Sequence, residues 1–122
     1  MKDYKRASER LNDMHRAFAE EDARQAQADY KELLAIPAFR RVLAAILKRG
    51  RVFASIAYDS TDTNEVFKTI GWREFAVDIY FAANAADGEK VLLAMAERTE
   101  VEKERKARFD LVMHGQTKGN EQ

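Results

Sequence analysis

Pro37 is the only proline among 122 residues, and only five glycines accompany it. So few backbone breakers favour long helices over many short strands. Pro37 itself disfavours helical geometry at Ile36 and suits the first position of a new helix. The stretch that follows, Ala38 to Arg49, places Phe39, Val42, Leu43, Ile46 and Leu47 at the i, i+3, i+4, i+7, i+8 spacing of a core-facing helix. Lys48 and Arg49 complement the carboxyl end of its dipole, and Gly50 is expected to take a left-handed cap.

Before Pro37, the first segment runs from about Asp3 to Ile36. Tyr4, Ala7, Leu11, Met14 and Phe18 recur in alternating steps of three and four, the seam pattern of a helix that packs on another helix. The next position in register is Glu21, and there the seam breaks. It resumes at Ala23 and Ala26 and continues through Tyr30 and Leu33. The acidic run Glu20-Glu21-Asp22 is compatible with one continuous helix or with a break between two.

After Gly50, the stretch from Arg51 to Asp59 holds Val52, Phe53, Ile56 and Tyr58. With no second strand to pair with it, this stretch is expected to be an apolar connector on the core. Asp59 to Asn64 is a cluster of turn and cap residues, and Asp62 followed by Glu65 resembles a capping box. A third helix is expected from about Thr63 to Ala85, near the centre of the fold. Val66, Phe67, Ile70, Phe75, Ile79 and Phe81 make it apolar on more than one side, and Trp72 and Tyr80 add to this. Gly71 inside it predicts a close helix crossing, since glycine there costs about 1 kcal/mol relative to alanine.

Ala86-Asp87-Gly88 reads as a tight turn, with Asp87 capping a fourth helix whose core face is Val91, Leu92 and Met95. From Glu97 to Arg108 the chain is almost entirely charged, and Glu102 with Lys106 and Glu104 with Arg108 are spaced as helix-supporting pairs. Phe109, Leu111, Val112 and Met113 then return apolar surface, and residues 115–122 are expected to be a flexible tail. The fold expected is thus all-α: about four helices in a small bundle, one domain over 1–114. Its core lies at about 37–97, and helical arms cover 3–36 and 98–113.

Composition restricts the chemistry. Lys plus Arg equals Asp plus Glu at 21 each, and this balance argues against a protein whose main work is neutralising phosphate backbones. Arg40, Arg41, Lys48, Arg49 and Arg51 form a basic cluster around the second helix that is compatible with nucleic acid. It equally suits the polar face of an amphipathic helix, which is the preferred reading. The chain has no cysteine, so disulfides, thiolate zinc sites and cysteine nucleophiles are excluded. His15 and His114 lie near opposite ends, no metal-binding motif is present, and Gly50, Gly71 and Gly88 are too isolated to cradle phosphate. We expect no catalytic residue, no cofactor, no metal and no enzymatic activity. The start of the chain, Met1 to Arg6, runs into charged sequence without an apolar stretch. The expectation is a soluble protein with no secretory leader and no membrane span, made inside a cell or packed into something assembled there.

The central block runs from Ile36-Pro37-Ala38-Phe39-Arg40-Arg41-Val42-Leu43 through Glu65 and Gly71-Trp72-Arg73-Glu74-Phe75-Ala76 to Ala85-Ala86-Asp87. It resembles a small domain family of tailed bacteriophages and prophages, named after a Bordetella phage example. The resemblance covers roughly Pro37 to Glu97: a phenylalanine-led helix, an apolar connector, a helix carrying Gly-x-Arg (here Gly71-Trp72-Arg73), and a short Ala-Asp turn. Ile70 departs from the family pattern, which has glutamate before the glycine. The resemblance implies a non-enzymatic structural protein of a tailed-phage virion, made in the host bacterial cytoplasm. It would act by assembly with itself, as a homo-oligomer, or with portal, tail or internal ejected proteins. The alternative is a small helical module that binds a host protein or nucleic acid during infection. The residues expected at the interface are Tyr4, Leu11, Met14, Phe18, Trp72, Tyr80 and Phe109.

Overall fold

The computed structural model describes residues 2–54 and 62–120, with side chains described through 115. Ile56, Tyr58 and the start of the turn cluster at Asp59 lie outside the described residues. The architecture is all-helical, with α1 at Lys2–Leu34, α2 at Pro37–Arg49 and α3 at Thr63–Asn120. Among the described residues three helices stand where about four were expected. The third and fourth run together because the expected turn shrinks to one residue: Asp87, at φ −161° and ψ 89°, alone leaves helical geometry inside α3. Its carboxylate accepts the Lys90 N–H at 3.2 Å, so the side chain replaces the backbone acceptor lost at the bend. The first segment is one unbroken helix of 33 residues. α3 continues through Asn120, into the stretch read as tail.

The helix ends follow local chemistry. Ile36 is extended and Pro37 opens α2, since its missing N–H is one that the first turn leaves unused. Asp62 Oδ1 accepts the Asn64 N–H at 3.0 Å and starts α3. At the end of α2, Gly50 keeps right-handed helical angles (φ −78°, ψ −2°), and it is Arg51 that takes the left-handed conformation at φ 52°. The Arg51 N–H donates to the Lys48 carbonyl at 3.1 Å, and the Val52 N–H donates to the Leu47 carbonyl at 3.2 Å. This double closure is a Schellman motif with its apolar clasp: Val52 packs on the cluster that contains Leu47.

Glycine sits one position early because of packing. A Cβ on Gly50 would collide with the Cβ of Ala76 and lie 3.3 Å from the Trp72 carbonyl oxygen. The close crossing expected at Gly71 is therefore at Gly50, and a Cβ on Gly71 would meet nothing within 4 Å. Small residues dominate the interior for the same reason. Leu34, Leu43, Ala44, Leu47, Ala76, Ala83, Val91 and Ala94 are the buried hydrophobic residues, and no polar residue is buried with them among the described residues. Tyr30, Phe39, Val52, Ile79, Tyr80 and Met95 pack around the cluster.

The orientation of each helix differs from the apolar stripe in detail. Val42 is 55% exposed, while Ala44 is buried in its place. Leu92 is 72% exposed, and Ala94 fills the core beside Val91. The first half of α3 is peripheral rather than central, since Phe67, Phe75 and Phe81 are exposed and only Ala76 and Ala83 are fully buried there. Helix surfaces that approach closely need alanine at the contact, so the large residues one or two positions away turn outward.

One polar tie crosses this core. Arg40 Nε donates to Glu97 Oε1 at 2.7 Å, and its Nη1 donates to the Leu34 carbonyl at 2.9 Å. A single guanidinium thereby joins α2 to the last turn of α1 and to the second half of α3. A second contact, Gln27 Nε2 to the Ala85 carbonyl at 3.0 Å, fixes α1 beside the bend. The two contacts advance together along α1 and α3, so residues 2–26 of α1 leave the core at one end and residues 103–120 of α3 at the other.

Gly50→Ala is expected to destabilise by about 1–3 kcal/mol through overpacking, whereas Arg51→Gly should stabilise by up to about 1 kcal/mol by relieving the left-handed backbone. Urea denaturation followed by circular dichroism would show the opposite signs. Arg40→Leu should cost about 2 kcal/mol by stranding a helix-terminal carbonyl and a half-buried carboxylate, and Arg40→Lys less.

Candidate interaction surface

The seven residues expected at an interface fall into three places. Tyr4, Leu11, Met14 and Phe18 share one face of the α1 arm and are all exposed, Tyr4 at 83%. Residues 2 to 29 of α1 contain no buried position, so this seam lies outside the buried core. Phe109 is exposed on the α3 arm together with Leu111, Val112 and Met113, which places that cluster outside the core. Trp72 and Tyr80 lie on the first half of α3. Trp72 is 41% exposed, with the Arg49 guanidinium 4.5 Å above its ring. Tyr80 is half-buried, edge-on to Phe53 at 5.1 Å and 5.7 Å from Phe81. The structure thus gives Tyr80 a packing role at the core margin.

Surface area puts a scale on the arms. The chain exposes 10055 Å², whereas a compact monomer of its mass exposes about 6,700 Å². The excess, about 3,300 Å², is several times the roughly 800 Å² that each partner contributes to a standard specific interface. A helix that packs on nothing is also marginal in water, because most helical stability in proteins comes from an apolar face that is covered.

The basic cluster disperses on folding. Arg40 turns inward to Glu97, Lys48 pairs with Glu102, and Arg49 stacks on Trp72. Three of its five members are thus engaged with this chain's own side chains. Glu102 was read as a surface partner of Lys106 on its own helix. It faces α2 instead, accepting from Lys48 and, at 3.1 Å, from Arg98. The Lys48 hydrogen bond, and after it that from Arg98, holds the Glu102 carboxyl below the usual carboxylate range. Neither this pairing nor the Arg40 tie was readable from local spacing, because both join residues more than fifty positions apart.

Among the described residues, no group of three or more His, Asp or Glu side chains converges as metal ligands would. No helix among them is long and apolar enough to cross a membrane. Compared with known proteins, the chain matches no family model, no curated protein and no solved structure.

Because the folded-state pKa of Glu102 is depressed, its contribution to α2–α3 docking is present above the ordinary carboxylate range and is lost as pH falls through the lowered folded value. The stability difference between the wild-type chain and Glu102→Gln should therefore be positive near neutral pH and vanish under strong acid. Paired urea titrations across that range would measure it.

Proposed function

We propose that this chain is a non-enzymatic structural protein of a tailed-phage virion, working by assembly with itself or with other virion components. The observation that carries the assembly role is the α1 arm, where Tyr4, Leu11, Met14 and Phe18 line one exposed face of a helix whose buried contact lies only at its other end, at Leu34. A chain that keeps such a helix has a partner for it, since burying apolar area is worth about 25 cal/mol per Å² and an exposed stripe forgoes that gain. The setting in a phage particle rests on the resemblance of the block from Pro37 to Glu97, with its Gly71-Trp72-Arg73 motif and Ala-Asp turn at Asp87.

The arms divide the work. A small core supplies a rigid hub, and two arms carry apolar faces outward from opposite ends of it. Separate arms of this kind suit a part held between neighbours. The near-balance of charge removes one barrier to such association.

Mass spectrometry of gradient-purified particles of the phage that encodes the chain tests this reading. The chain should be present at a fixed ratio to the major structural proteins and should survive high-salt washing. Its recovery only from the soluble lysate would overturn the virion assignment.

A further inference from the structure

We infer that the α1 arm pairs with the same arm of a second copy, antiparallel, about a two-fold axis between Asn12 and Asp13. This inference rests on the assembly reading above and names the partner and its geometry. The seam occupies the two core positions of a heptad: Tyr4, Leu11 and Phe18 at one, Ala7, Met14 and Glu21 at the other. Every residue from 2 to 29 is exposed, and Gln27, which donates to the Ala85 carbonyl, lies beyond the seam, so the seam itself is open.

Packing and charge choose the direction. In a parallel pair, each seam residue meets its own copy. Glu21 would then face Glu21 inside the interface, and Arg10 would flank His15 of the other helix. Two carboxylates in a closed seam repel strongly. In the antiparallel pair the seam layers bring residues whose numbers sum to 25 face to face. Phe18 then lies over Ala7, Leu11 over Met14, and Tyr4 over Glu21, in each case from opposite copies. One layer sets a large ring on a small alanine, and the one acidic residue in the seam meets a phenol that can donate to it. Along the flank, Asp3 faces Arg24 of the other copy, and no like-charged flanking pair arises.

The arm is also polarised along its length. Residues 2–12 hold Lys2, Lys5, Arg6 and Arg10 against Asp3 and Glu9, a net charge of +2. Residues 13–23, which lie opposite them in this register, hold Arg16 against Asp13, Glu20, Glu21 and Asp22, a net charge of −3. Antiparallel pairing lays the basic half of one copy on the acidic half of the other. A parallel pair would lay like on like. The two cores then sit at opposite ends of the paired arms, with Tyr30 of one copy about 50 Å along the axis from Tyr30 of the other. They do not collide.

The natural absence of cysteine allows single labels on the full chain. Lys2→Cys and Arg16→Cys place spin labels on the outward heptad position, away from the seam. Pulsed dipolar spectroscopy should give a clearly longer label-to-label distance for Lys2→Cys, whose positions lie about 30 Å apart along the axis, than for Arg16→Cys, whose positions lie about 10 Å apart. Light scattering should show two copies. Asp3→Arg and Arg24→Asp should each weaken dimerisation several-fold, and the double exchange should restore it. Equal separations at the two label sites would overturn the antiparallel geometry, as would a monomer at every concentration or a double exchange no better than either single one. A monomer still recovered from purified particles would remove this pairing and leave the virion role standing. The antiparallel distances in a chain absent from particles would do the reverse.

Discussion

Arg40 holds three helices with one side chain, and the rest of the hub is arranged around what that requires. Its guanidinium reaches the Leu34 carbonyl at the end of α1 and the Glu97 carboxylate on α3. Both acceptors must come within one side chain's length of α2, so the three helices must approach closely. Close approach is affordable only where side chains are small, and the contact positions accordingly carry Gly50, Ala44, Ala76, Ala83 and Ala94. The backbone at the end of α2 shows the consequence. Glycine is kept at the crossing, and arginine takes the left-handed turn that glycine would occupy more cheaply.

A hub built this way stays small. The eight buried hydrophobic side chains among the described residues, half of them alanine, cannot cover a 33-residue helix and a 58-residue helix. The length that does not fit becomes arms. This is why the area exposed by the chain is far above that of a compact protein of its mass, and why its function is best sought on those arms rather than in a cleft. The bend at Asp87 serves the same economy, since one extended residue redirects α3 onto the core without the several residues that a loop would occupy.

The proposed antiparallel pairing unites features that are otherwise separate. The break of the seam at Glu21, the opposite charge of the two halves of the arm, and the small Ala7 among the large residues of the seam each take no part in the buried core. Two copies with opposed directions give all three a partner. Phe67, Phe75 and Phe81 on α3, and the apolar cluster from Phe109 to Met113, are exposed outside that pairing.

Local chemistry in the sequence was enough to determine the helical class, the start of α2 at Pro37, the cap at Asp62 and the bend at Asp87. Each depends on a few adjacent residues and on backbone hydrogen bonds within one turn. Periodicity also found the exposed seam of α1, because a stripe is visible whether or not anything covers it. Only the tertiary structure decided which stripe is core. Val42 and Leu92 satisfied the helical spacing yet face solvent, while Ala44, Ala76, Ala83 and Ala94 carried little hydrophobic signal yet fill the interior. The roles of Arg40 and Glu102 likewise came from helices far apart in the chain. A sequence stripe records which faces are apolar; the distance between helix axes, set by the smallest side chains at the crossing, selects which of them is buried.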